Sequence, residues 1–199
     1  MPRPKVHDDA LRVRLLDRAA ETLSTDGPDG LSLRKLAADV GTSTTAVYSL
    51  FGGKPALLRE LYREAFRRFG ERLTTVELSG DPVEDLVRLG IAYRQSAQAD
   101  PHLYAIMFSD AVPGFDPDEE AGREAAATLQ PLLDVVRSGI VSGHFTGSRA
   151  EEIALASWAL VHGLVSLEAR AHMPPGIDVA ENFEKVLRAQ SRGWSVEPK

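Results

Sequence analysis

The sequence predicts an all-α protein, and three observations lead to this fold class. Apolar residues recur at helical spacing along most of the chain, and clusters of turn residues fall between the helical segments. No segment alternates apolar and polar residues long enough to make a convincing strand. The pattern predicts about nine helices.

The first four predicted helices occupy residues 8–24, 32–40, 44–50 and 54–73. Leucine or alanine recurs every fourth residue in the first helix, and we expect turn residues 25–30 to end it. Ser32 and Ser43 suit the N-caps of the next two helices, and Gly41 lies in the turn between them. The fourth helix starts at Lys54, where the following proline is tolerated in a first turn.

Five further helices are predicted at residues 81–99, 101–108, 119–143, 148–170 and 178–191. Asp81 is expected to cap the first of them. Pro131 lies inside the third and predicts a kink or a break there. Ser148 and Glu151 have the spacing of a capping box, which predicts the start of the fourth.

Composition and charge indicate a globular protein with two unlike parts. The chain has 199 residues, of which 43% are hydrophobic and 26% charged, and its formal net charge is −6. Residues 1–70 carry a net charge of +3, whereas residues 71–199 carry −9. This asymmetry is typical of a basic module joined to an acidic one, although chance clustering of charges would look the same.

Several classes of function and location are not expected. The chain contains no cysteine, which excludes disulfides, thiolate metal sites and a cysteine nucleophile. The histidines show no metal-ligand spacing, and no phosphate-binding glycine loop or nucleophile elbow occurs, so we expect neither an enzyme nor a cofactor. No signal peptide is visible, and the apolar stretch 153–167 is interpreted as a buried helix, so a cytoplasmic protein without a membrane span is expected.

Residues 32–51 have the pattern of a helix-turn-helix DNA reader, because two short helices are joined by a tight turn that contains glycine. Val47 and Phe51 are predicted to face inward, while Thr44, Thr45 and Tyr48 project together on the opposite side. Their hydroxyl groups suit base edges and phosphates in a major groove. The alternative interpretation is a solvated polar face on a small three-helix bundle.

The stretch from Gly30 to Leu58 resembles the N-terminal domain of the tetracycline-repressor (TetR-like) family. The resemblance covers roughly residues 8–70, and it keeps one pattern of glycine, leucine, tyrosine, phenylalanine and lysine at fixed spacing. It implies a DNA-binding domain over residues 1–53, with DNA contacts from Ser32, Arg34, Ser43, Thr44, Thr45, Tyr48 and Lys54. The resemblance assigns Lys54 to a phosphate. Arg3 and Lys5 form a basic arm that could also reach DNA, or that could be a solvated tail.

The segment Trp158-Ala159-Leu160-Val161-His162-Gly163 resembles the Trp-x3-His-Gly signature of one branch of C-terminal domains in this family. The resemblance implies a helical ligand-binding and dimerisation domain over residues 54–199, in which residues 54–73 form the connecting helix. Residues 149–170 are apolar almost all round, so with residues 178–191 they are predicted to form a dimer interface. A large monomeric core is the alternative.

A mainly apolar small molecule is the expected effector, with His162 among its few polar contacts. The candidate ligand-binding residues are Tyr62, Phe66, Phe69, Tyr104, Met107, Phe108, Trp158 and His162. His162 could equally be a core histidine bonded to a backbone carbonyl. The resulting hypothesis is a dimeric repressor that the ligand releases from an inverted-repeat operator. The alternative is a helical scaffold or adaptor without sequence-specific DNA binding.

Overall fold

A computed structural model describes residues 5–108, 117–170 and 176–195, and the described part of the chain folds into ten α-helices without a named strand. Their bounds are α1 Lys5–Gly30, α2 Leu33–Val40, α3 Thr44–Phe51, α4 Lys54–Thr74, α5 Pro82–Ala99, α6 Pro101–Phe108, α7 Glu119–Ala127, α8 Gln130–Val141, α9 Ala150–Arg170 and α10 Val179–Arg192. The expected all-α fold is confirmed. Arg3 lies outside the described residues, as does the side chain of Lys5.

The chain divides into two compact units. Unit 1 comprises Met1–Arg68 and Asp100–Ala126, and unit 2 comprises Phe69–Ala99 and Ala127–Lys199. In unit 1, α1 packs against α2, α3 and α6. Its core consists of apolar side chains that helical spacing brings to one face of each helix. Fully buried members are Leu15, Leu16, Ala19, Val47, Leu57 and Leu61.

Unit 2 is built around α5, against which α8, α9 and α10 all pack. Its core cluster is Leu86, Leu89, Val135, Val136, Phe145, Ile153 and Ala154. A Cβ atom at Gly90 would lie 2.4 Å from Leu187 Cδ1, so the glycine allows α5 and α10 to approach closely. After α10, the backbone of Trp194 accepts a hydrogen bond of 3.1 Å from the N–H of Thr146.

The predicted end of the first helix and the predicted start of α9 are wrong, and side-chain hydrogen bonds explain both differences. The first helix does not end at Ser24 but continues to a break at Gly27, where φ is 70°. The Thr25 hydroxyl donates to the Glu21 carbonyl and is satisfied within the helix, so it does not act as a turn residue. At α9, the Glu152 carboxylate accepts from the N–H of Arg149 at 3.0 Å, which replaces the predicted capping box one residue later.

The break predicted from Pro131 is present, since α7 and α8 are separate helices that end at Ala127 and begin at Gln130. Proline in the first turn of α8 lacks the N–H that a continuous helix would need. The predicted cap Asp81 functions, and Asp178 caps α10 in the same way. Asp81 accepts from the N–H of Val83 at 2.9 Å, and Asp178 accepts from the N–H of Glu181 at 2.9 Å.

Helix α9 is less buried than its composition predicts. It is 21 residues long, and only 28% of its most apolar stretch is buried in the single chain. Leu155 and Leu167 are 61% and 45% exposed. Among the described residues, α9 alone is long and apolar enough to cross a membrane, a test that core helices of soluble proteins also pass. It packs against α5, α8 and α10, so the predicted buried helix is buried on one side only.

Candidate nucleic-acid interface

Helices α2 and α3 form a helix-turn-helix whose turn depends on one glycine. Gly41 adopts a φ of 73°, in the left-handed region that favours glycine. Its N–H donates to Ala38, and the N–H of Thr42 donates to Ala37 at 2.8 Å. These bonds end α2 within one residue and let α3 begin at Thr44.

Helix α3 is held by its buried side and presents a polar side to solvent. The Ser43 hydroxyl accepts a hydrogen bond of 3.1 Å from the N–H of Ala46, as an N-cap does. Val47 and Phe51 are buried, as predicted. Tyr48 is 54% exposed, so its phenol reaches solvent on the far side of the helix.

The three polar residues that were predicted to project together from α3 are not equally exposed. Thr45 is exposed together with Tyr48, whereas Thr44 is half-buried at the start of the helix. At the end of α3, a Cβ atom on Gly53 would lie 4.0 Å from Tyr48 Cε1, so the tyrosine ring lies beside the turn into α4. This face carries hydroxyl groups and no charge.

Ser32 and Arg34 lie at the start of α2 and are both exposed. Ser32 occupies the N-cap position, but its hydroxyl makes no capping hydrogen bond. The predicted side-chain cap is therefore wrong at this serine, although the helix starts where expected. The free first-turn N–H groups of α2 can donate to an anion, as helix N-termini do.

Lys54 begins α4 and has a protein partner that the sequence did not predict. Its ammonium donates a hydrogen bond of 2.7 Å to the carbonyl of Pro28. A cation at a helix N-terminus opposes the helix dipole, and the carbonyl oxygen partly compensates for this. The bond links the start of α4 to the last residues of α1, after its break at Gly27.

Arginines on α1 attach this helix to the helix-turn-helix. Arg12 pairs with Glu60, and its guanidinium lies over the Phe51 ring at 5.4 Å from the centroid. Arg18 pairs with Asp39 at 2.8 Å. Local sequence patterns do not show these contacts, because the partners are 48 and 21 residues away in the sequence.

The candidate ligand residues of unit 1 form an aromatic group. The rings of Tyr62 and Phe66 lie 4.8 Å apart, those of Phe66 and Phe108 6.1 Å apart, and those of Tyr104 and Phe108 5.0 Å apart. Phe66 and Met107 are buried. The rings of Tyr62, Tyr104 and Phe108 are half-buried. Burial raises the pKa of the Tyr62 phenol.

The remaining candidate ligand residues, Phe69, Trp158 and His162, belong to unit 2, and together with Tyr93 we call them the His162 group. The Tyr93 hydroxyl lies 3.0 Å from Nδ1 of His162, and the Phe69 ring packs edge-on against Tyr93 at 4.9 Å. The Trp158 ring is 6.4 Å from the imidazole. Burial lowers the pKa of His162, which favours the neutral imidazole. The Tyr93 side chain is therefore a partner of Nδ1.

Ion pairs are frequent around these sites. Within the described ranges, no group of three or more histidine, aspartate or glutamate side chains could hold a metal ion. In unit 2, Arg94 pairs with Glu168.

Comparison with known proteins identifies both parts of the chain. Residues 15–61 match the model of bacterial regulatory proteins of the tetR family. Residues 86–190 match the model of a tetracyclin repressor-like C-terminal domain. The second match covers more than half of the chain and includes the Trp158–Gly163 segment.

The chain is also similar to individual proteins. A Rhodococcus sp. RHA1 protein of unknown function is 31% identical, with a TM-score of 0.79 over 94% of this chain and 96% of that one. The TetR family regulator PfmR from Thermus thermophilus shares the fold at 24% identity, with a TM-score of 0.67 over 89% and 94%. The HTH-type transcriptional regulator Rv1816 of Mycobacterium tuberculosis is 26% identical over 67% of this chain, which spans only 58% of that relative. The chain belongs to the TetR family of bacterial regulatory proteins.

Proposed function

We propose that this protein is a DNA-binding transcriptional regulator, without enzymatic activity, that works in the cytoplasm. The observation that carries the proposal is the exposed polar side of α3, where Thr45 and Tyr48 face solvent above the buried Val47 and Phe51. Hydroxyl groups on a helix of this size suit major-groove base edges. Ser32, Arg34, Ser43, Thr44 and Lys54 are proposed as the flanking DNA contacts.

The test is selection of double-stranded DNA from randomised duplexes, followed by footprinting of the enriched sequence. A regulator enriches one sequence and binds it in a salt-sensitive manner. A helical scaffold or adaptor, the alternative function, enriches none. Because two-fold symmetry maps each protomer onto one half-site, the enriched sequence is expected to be an inverted repeat. Repression is the mode we propose.

We propose that the active species is a homodimer formed through residues 149–170 and 178–191. The exposed apolar side chains of α9, Leu155 and Leu167, support this proposal, because one chain leaves them in water. Sedimentation equilibrium should show a dimer that Leu155→Glu dissociates. Leu78→Glu is the matched control, since Leu78 is 51% exposed outside α9. A monomer at all concentrations contradicts the proposal.

We propose that a mainly apolar or aromatic small molecule controls DNA binding. The aromatic group of unit 1 and the His162 group of unit 2 are each proposed as a contact group within its own unit, because each combines ring surfaces with few polar atoms. A thermal-shift screen should therefore find ligands among aromatic compounds and not among sugars or nucleotides. A ligand that stabilises the protein without changing its DNA affinity argues against control of binding. The proposed functional division places DNA binding in residues 1–53 and ligand response in residues 54–199.

A further inference from the structure

Three arginines on α1 have different kinds of partner. Arg12 pairs with Glu60, and Arg18 pairs with Asp39 and Glu21. Arg14 instead donates a hydrogen bond to the backbone carbonyl of Val40. No carboxylate among the described residues lies within ion-pair distance of it. Among the described residues, Arg14 is therefore the arginine of α1 whose positive charge has no carboxylate partner.

The contact with the Val40 carbonyl places the guanidinium of Arg14 at the end of α2. Val40 is the last residue of α2, and its carbonyl belongs to the partly negative end of that helix. Thr44, the first residue of α3, follows four residues later, so the two Cα atoms are at most about 15 Å apart. Arg14 therefore lies near the first turn of the helix that carries Thr45 and Tyr48.

The geometry leaves most of the guanidinium available. Arginine has five N–H donors, and the contact with Val40 uses only one of its nitrogens. The side chain is exposed. An exposed guanidinium that is oriented by one hydrogen bond and has no carboxylate partner is suited to a phosphate, which it can bind with two parallel hydrogen bonds.

Two other cations near the helix-turn-helix, Arg34 and Lys54, also have no ion pair with a carboxylate among the described residues. Arg34 is exposed at the start of α2, and Lys54 bonds to a backbone carbonyl and not to a carboxylate. Arg34 lies at one end of α2 and Arg14 contacts the other end. Because α2 has eight residues, its two ends are separated by about 12 Å.

We propose that Arg14 binds a DNA phosphate beside the first turn of α3. It acts as a second cation at α2, opposite to Arg34. This inference rests on the proposed DNA-binding function. It assigns to α1 a direct part in DNA binding, in addition to its part in the core of unit 1.

The experiment measures how affinity for the selected duplex depends on salt concentration. Each phosphate contact contributes about 0.9 to the slope of log K against log salt. Arg14→Gln keeps a donor for the Val40 carbonyl but removes the charge, so the slope should fall by about 0.9 per protomer. Arg14→Lys should restore it, because a lysine keeps the charge.

Arg18→Gln is the matched control, because it makes the same charge change one turn further along α1 at an ion-paired residue. Its slope should equal that of the wild type. A merely structural role of Arg14 would lower the melting temperature and leave the slope unchanged. The inference is overturned if Arg14→Gln has the wild-type slope, or if Arg18→Gln loses as much. If the wild type enriches no duplex at all, the proposed function fails first, and the inference fails with it.

Discussion

The ammonium of Lys54 donates a hydrogen bond of 2.7 Å to the carbonyl oxygen of Pro28. The bond joins the first residue of α4 to the turn after the Gly27 break in α1. An ammonium has three N–H donors, so Lys54 can keep this bond and still donate to a phosphate. The structural contact and the proposed DNA contact are thus compatible in one side chain.

Replacing Lys54 should reduce both stability and DNA binding. Lys54→Ala is expected to lower the free energy of unfolding by about 1–2 kcal/mol, because it removes a half-buried charged hydrogen bond. It should weaken binding to all DNA sequences alike and reduce the salt slope by about one per protomer. Denaturant unfolding and salt-titrated DNA binding measure the two effects. A change in sequence preference would show that Lys54 does not bind a phosphate.

The two serines that precede α2 and α3 should respond differently to the same substitution. Ser43→Ala removes a formed N-cap and should cost about 1 kcal/mol of stability. Ser32→Ala removes no capping hydrogen bond, so its stability should stay within about 0.5 kcal/mol of the wild type. Under the proposed function, Ser32→Ala nevertheless weakens DNA binding. Equal losses of stability in the two variants would contradict this distinction.

The contrast between these serines shows what could be predicted from the sequence. Spacing and residue type located both N-cap positions, because helix starts depend on local chemistry. Whether a hydroxyl turns toward the backbone depends on rotamer and surroundings, which a local pattern does not contain. The same limit applies to Lys54, whose partner Pro28 is 26 residues away in the sequence.

Substitutions on the exposed side of α3 should affect sequence selectivity more than salt dependence. Tyr48→Ala and Thr45→Ala are each expected to weaken binding to the selected duplex. Replacing a base pair that either residue reads should cost about 1–3 kcal/mol in the wild type and much less in the corresponding variant. Binding to single-base variants of the duplex measures this. Tyr48→Phe separates the hydroxyl from the ring. An unchanged preference in Tyr48→Ala and Thr45→Ala would remove both residues from base readout.

His162 should make the stability of the protein depend on pH. Its pKa in the folded state is lowered below the usual value of 6.5 by burial, so the unfolded chain binds the proton more readily. Stability therefore falls as the pH drops from above 6.5 toward the folded-state pKa. Urea unfolding at several pH values should show this fall in the wild type and a smaller one in His162→Phe.

His144→Gln, at an exposed position of the same unit, controls for the general loss of an imidazole. If His162→Phe keeps the full pH dependence, His162 is not its source. A separate outcome concerns the ligand. If His162→Phe keeps full DNA affinity and an unchanged response to an identified effector, His162 is not a ligand contact.

Helix α7 should be held in place largely by Arg63. Of its residues only Ala121 is buried, whereas Arg63 on α4 lies within ion-pair distance of Asp118, Glu120 and Glu124. Arg63→Met, or high salt in the wild type, should therefore speed hydrogen exchange in α7. Arg123→Met is the control, because that arginine pairs with Glu119 within α7 itself. Equal exchange in all three proteins would contradict an electrostatic attachment.

The burial of α9 was the part of the fold that the sequence predicted least well. Its apolar composition indicated contacts on several sides, and one chain supplies only some of them. An apolar helix surface predicts contact with other residues, but it does not indicate whether those residues belong to the same chain or to another. Ring pairs such as Tyr93 and His162 were equally beyond a local pattern, because 69 residues separate them.

Helix α3 contains no charged side chain, and the cations proposed to meet phosphate lie on α1, α2 and the start of α4. Under the proposed function, the choice of operator and the strength of attachment to the DNA backbone are therefore encoded by separate residues. A rise in salt lowers the affinity for every operator by the same factor, so the rank order of the operators by affinity is preserved. Substitutions confined to Thr45 and Tyr48 can redirect the protein to new operators while its response to ionic strength stays constant.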